Sequence, residues 1–98
     1  MIDKLKEIIT HFQSLENKMA DTSLINDQKL YTEMAKEHRR LSPIVEKSNQ
    51  YLIIADQIED DLVILDSNDK DLKDIAKSEI EDLEQLLIKL EDELKILL

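Results

Sequence analysis

Apolar residues recur along this chain at steps of three and four, and the places where the rhythm stops divide it into segments. Ile2, Leu5, Ile8, Ile9, Phe12, Leu15 and Met19 form the first series, which predicts a helix over about residues 3–19 with a single apolar stripe. Asp21-Thr22-Ser23 interrupts it. After the short apolar pair Leu24-Ile25, Asn26-Asp27 offers an N-cap, and Leu30, Tyr31, Met34, Ala35, His38 and Leu41 carry a second helix to about residue 41. Pro43 has no amide hydrogen and its ring crowds the preceding turn, yet it is well tolerated at the first position of a helix. With Ser42 as its cap, a third helix is expected over about residues 43–65, nearly continuous with the second but kinked. Its stripe is Ile44, Val45, Leu52, Ala55, Ile58, Leu62 and Leu65.

The polar run Asp66-Ser67-Asn68-Asp69 ends that stripe, and one of Ser67 to Asp69 is expected to cap a fourth helix with Asp71 in its first turn. Leu72, Ile75, Ala76, Ile80, Leu83, Leu87, Leu90, Leu94 and Leu97 then repeat in a near-heptad pattern to the chain end. At 1.5 Å per residue this helix is roughly 43 Å long, too long for a compact globule of this size. The short polar turn before it predicts an antiparallel hairpin, with the first two helices packed along it. The expected fold is all-α: one domain over residues 1–98, an elongated antiparallel helical bundle or short coiled-coil hairpin of three to four helices, kinked near Pro43. The stripe from Leu83 to Leu97 also suits a homodimer seam, but three other stripes in the chain need partners, which favours the intramolecular hairpin. Ile96-Leu97-Leu98 end the chain without a polar tail, as expected of a helix cut inside a longer protein.

Composition narrows this further. The 98 residues include no cysteine, glycine or tryptophan, so the core has to come from helix packing rather than from disulfides or a thiolate metal site. Lack of glycine also argues against sandwiches and barrels, whose turns call for positive φ. No apolar run approaches the roughly 18–20 residues that span a bilayer, and the first residues lack the apolar segment of a signal peptide, so no membrane association is expected and the cytoplasm is the default location.

The net charge of −10 is unevenly placed. Residues 1–49 carry eight Lys or Arg against eight Asp or Glu, and residues 50–98 carry five against fifteen. Such an acidic surface disfavours broad phosphate binding, while the neutral first half stays open to local contacts with nucleic acid.

Candidate chemistry is sparse. His11 and His38 are the two histidines and no nucleophile–base set assembles around them, so both are read as partly buried or surface residues. Glu59-Asp60-Asp61 and Glu91-Asp92-Glu93 are dense, but neighbours on a helix point to different faces, and neither a Glu-x-x-His pair nor a calcium loop occurs; they are read as solvated faces. No cofactor, metal or small-molecule substrate is expected, and no enzymatic activity. Lys36, Arg39 and Arg40 lie within about one helical turn and, with His38, form a candidate contact patch just before the expected kink. Pairing with Glu33, Glu37 or Glu46 competes with that role and is the preferred reading of the charges alone.

Two stretches carry a resemblance. Leu24-Ile25-Asn26-Asp27-Gln28-Lys29-Leu30-Tyr31, followed by Met34-Ala35-Lys36-Glu37-His38-Arg39-Arg40-Leu41-Ser42-Pro43-Ile44-Val45-Glu46, resembles the N-terminal domain of bacterial class I peptide chain release factors. Leu65 to Ile80 resembles the same family's acidic turn and following helix. Leu24-Ile25 stands where the UAA/UGA-reading type usually carries Phe-Trp, so the chain is more similar to the UAA/UAG-reading type. The resemblance implies a domain that contacts the ribosome at the GTPase-associated region of the large subunit and cooperates with the class II release-factor GTPase. It places peptidyl-tRNA hydrolysis in a later Gly-Gly-Gln domain, and codon reading likewise lies outside this chain. The alternative that the residues leave open is a free-standing acidic helical adaptor or a dimeric coiled-coil protein.

Overall fold

A computed structural model of the protein describes residues 1–24 and 26–98. It is all-α, with helices α1 (Ile2–Met19), α2 (Gln28–Ile64) and α3 (Lys70–Leu97). Ile25, on which the resemblance to the UAA/UAG-reading type partly rests, lies outside the described residues.

The chain divides into two compact units, Met1–Ser48 and Asn49–Leu98, with the boundary inside α2. In the first, Leu5 and Leu15 of α1 and Met34, Leu41, Ile44 and Val45 of α2 are buried, as the three-and-four spacing predicts. In the loop between these helices, the Asp21 carboxylate accepts hydrogen bonds from the Ser23 amide at 2.9 Å and the Ser23 hydroxyl at 2.8 Å. Those bonds, the hydroxyl's first, hold the Asp21 carboxyl below its ordinary pKa. The Asp27 carboxylate then accepts from the Leu30 amide at 3.0 Å, which is the capping bond expected at the start of α2.

The expected break at Ser42-Pro43 does not occur. α2 is a single helix of 37 residues with Pro43 inside it, so the second and third predicted helices are one, and the expected proline kink is not confirmed. Proline there removes one amide donor and crowds the carbonyl four residues back, a cost of about 3 kcal/mol in a helix interior. Pro43 is exposed, while Leu41, Ile44, Val45 and Ser48 on either side of it are buried. Packing on that face holds the helix through the defect. Ser48, fully buried, directs its hydroxyl back to the Ile44 carbonyl at 2.6 Å, which satisfies a polar group that burial would otherwise penalise.

In the second unit, the last turns of α2 and the whole of α3 form an antiparallel hairpin across the turn at residues 65–69. Asp69 caps α3, its carboxylate accepting from the Asp71 amide at 3.0 Å and the Leu72 amide at 3.2 Å, and Asp71 occupies the first turn. Tyr51, Ile54, Ala76, Ile80, Leu90 and Leu94 form its buried set. Burial raises the Tyr51 phenol above its ordinary pKa, and the Glu91 charge adds to this. Asp61 is buried as well, and its Oδ2 has no hydrogen-bond partner among the described residues.

Candidate partner-binding surface

The four residues of the predicted patch lie in the first unit, on α2, but their side chains do different things. His38 turns toward α1. Its ring stacks on Phe12 with centroids 4.3 Å apart and 22° between planes, and its Nε2 lies 3.5 Å from Glu16 Oε2. Phe12 and Glu16 are one turn apart on α1, so a single face of that helix supplies both the ring and the carboxylate. His38 is therefore a packing residue with a polar edge.

Arg40 is held within its own helix. Glu37 accepts from Arg40 Nη2 at 2.6 Å and from Nε at 3.0 Å, a forked pair at the i,i+3 spacing. The same carboxylate lies 3.8 Å from His11 Nε2. The Arg40 hydrogen bond is the main cause of a Glu37 pKa below its ordinary value, and Arg40 is raised in turn. Both groups stand in solvent, where such pairs contribute little to stability. Their effect is on charge: one of the three cations already faces a carboxylate.

Lys36 and Arg39 remain. Both are exposed, and among the described residues neither forms an ion pair. The patch is thus two unpaired cations beside a neutralised third, not a block of four equivalent groups. Glu37 was one of three carboxylates named in the sequence as competing for these cations; Glu33 and Glu46 form no ion pair with them.

Among the described residues, no group of three or more His, Asp or Glu side chains is arranged to hold a metal ion. No described helix is long and apolar enough to cross a membrane.

Residues 8–98 match the PCRF domain family. The chain belongs to that family. It is 42% identical, over its whole length, to a peptide chain release factor 1 from Campylobacter lari, and it covers 27% of that protein. A peptide chain release factor 1 from Clostridioides difficile is 37% identical over the whole chain, which covers 28% of it. One from Lactobacillus gasseri is 38% identical over 97% of the chain, with 26% of the relative covered. This PCRF domain therefore spans about a quarter of the length of the curated relatives it matches. No solved structure matches it with significance.

Sequence reading missed several residues that shape these surfaces. Ser48, Tyr51 and Ile54 are buried although none was assigned to a stripe; Ser48 lies four residues beyond Ile44 and Tyr51 three further on, so the spacing was there to find. Asp61 carries no such signal, because it sits in an acidic run that reads as solvated.

Proposed function

We propose that this PCRF domain is the N-terminal, ribosome- and partner-contacting part of a cytoplasmic peptide chain release factor acting at UAA and UAG codons. The observation that carries this reading is the match of the whole chain to one stretch of proteins named peptide chain release factor 1. In this role the domain has no catalysis of its own. It positions the factor, through contacts with the GTPase-associated region of the large ribosomal subunit and with the class II release-factor GTPase.

Lys36 and Arg39 are the leading contact residues, because unpaired cations on an exposed helix face are available to phosphate or to acidic side chains. His38 and Arg40 support them, the one by packing on α1 and the other through Glu37.

The test is a graft. The chain replaces the matching segment of the Campylobacter lari release factor 1, and peptide release is measured on ribosomes programmed with UAA, UAG or UGA. Ribosome binding and peptide release by the graft at the codons the host factor reads, with no release from the isolated domain, support the reading of this chain as the factor's N-terminal domain. A folded graft that fails to bind ribosomes overturns it. Lys36→Glu with Arg39→Glu is expected to weaken ribosome association of the graft about tenfold or more, while Arg40→Glu alone has a smaller effect. Unchanged association in the double variant would remove the patch from the interface.

A further inference from the structure

The second unit contains an apolar groove. Gln50, Ile53 and Ile54 of α2 and Leu86 and Leu90 of α3 line a cavity of about 320 Å³ that is open to solvent. Ile54 and Leu90 form its buried floor, at 8% and 5% exposed, whereas Ile53 at 58% and Leu86 at 43% stand up as its walls. Large aliphatic side chains so exposed on both sides of one depression form a surface that gains free energy when covered.

Charge selects the occupant. Helix spacing places Asp56 and Gln57 one turn from Ile53, and Asp82 and Lys89 one turn from Leu86. The rim is thus mainly acidic, within a segment that carries fifteen acidic against five basic residues. A second copy docking the same face would oppose acid to acid across a desolvating apolar contact. An anionic partner, nucleic acid included, is disfavoured for the same reason.

We propose that this groove is a docking site for a basic amphipathic helix of a partner protein, with one or two aliphatic or aromatic side chains seated between Ile53 and Leu86 and flanking Lys or Arg side chains meeting Asp56 and Asp82. Helix-in-groove recognition uses apolar anchors three or four residues apart, and a depression lined by aliphatic side chains from two helices is the kind of surface that receives them. The site lies wholly in the second unit, away from the Lys36 and Arg39 patch in sequence and opposite to it in charge. It does not depend on the release-factor reading.

The probe is a synthetic amphipathic helical peptide of leucine and lysine, titrated into the isotope-labelled chain and followed by amide chemical shifts. Two control peptides accompany it, one with glutamate in place of lysine and one of lysine without leucine. The expected result is that the Leu/Lys peptide shifts the amides of Gln50, Ile53, Ile54, Leu86 and Leu90, that binding weakens with salt, and that the Leu/Glu peptide does not bind. Ile53→Ser removes an exposed side chain, so helicity by circular dichroism is kept, and affinity for the Leu/Lys peptide falls about tenfold. Equal binding by the lysine-only peptide would reduce the site to general acidity and overturn the proposal. So would shifts elsewhere on the chain, or a concentration-dependent dimer in sedimentation that Ile53→Ser abolishes, which would make a second copy the occupant.

Discussion

Residues 1–48 and residues 49–98 each pack two helical segments together, yet they treat charge in opposite ways. The first balances eight bases against eight acids and draws its polar side chains together: Glu37 with Arg40 and His11, Glu16 with His38. The second carries all of the excess negative charge, buries Asp61, whose Oδ2 has no hydrogen-bond partner among the described residues, and leaves Ile53, Val63, Ile75 and Ile88 more than half exposed. A helix pair needs only its facing stripes to fold. What the remaining faces carry is then open to functional use, and the two halves use that freedom differently.

The largest expected effects come from what the halves share. Leu5→Ala in the first and Leu94→Ala in the second each remove a side chain that is 0% exposed, and each is expected to cost about 2–5 kcal/mol in urea unfolding. Losses below 1 kcal/mol in one of them would mean that its half is loosely packed and the parallel is wrong.

Pro43→Ala restores an amide donor inside α2 at an exposed position. It is expected to stabilise the chain by up to about 3 kcal/mol, read as a higher midpoint in thermal unfolding. A lower midpoint would show that proline fits a bend that α2 requires.

Asp61→Leu tests the contrast most directly. The carboxylate is buried, lacks a partner at Oδ2, and sits in the last turn of α2 where the helix end is already negative. Leucine at that position is expected to raise stability by about 1–2 kcal/mol. Destabilisation would assign Asp61 a stabilising contact.

Glu37→Gln should act least, and through pH. A carboxyl whose folded pKa is lowered contributes stability above its unfolded value, and that contribution is lost as pH falls through the lowered folded value. The stability gap between wild type and Glu37→Gln is therefore expected at neutral pH and closes as pH drops below the ordinary glutamate value of 4.5. A gap that is constant with pH would mean that the Arg40 pair is not its source.

Helix existence was legible because each stripe is several turns long and the breaks are strongly polar. The sequence narrows the caps to Asn26-Asp27 and to one of Ser67 to Asp69, because each group is a short polar run before a periodic one; the structure selects Asp27 and Asp69. Pro43 was misread because its local cost is known from sequence, whereas the burial of Leu41, Ile44, Val45 and Ser48 that offsets it belongs to packing. The four residues of the candidate patch all lie on α2, but the sequence does not resolve them into roles. Three cations within a turn look alike until Glu37 takes Arg40, and His38 looks exposed or buried with equal ease until Phe12 stacks against it.

The sequence by itself determined an all-α chain, the short polar segments that cap its second and third helices, the charge asymmetry between its halves and the family resemblance. These depend on residue types at short spacing, which a linear chain displays directly. Tertiary structure alone decided that α2 runs through Pro43, that Lys36 and Arg39 form no ion pair among the described residues, that Asp61 is buried and that Ile53 and Leu86 line one groove. Each of those depends on which side chains from distant segments share a face, and free energies of burial and pairing are set there rather than by neighbours along the chain.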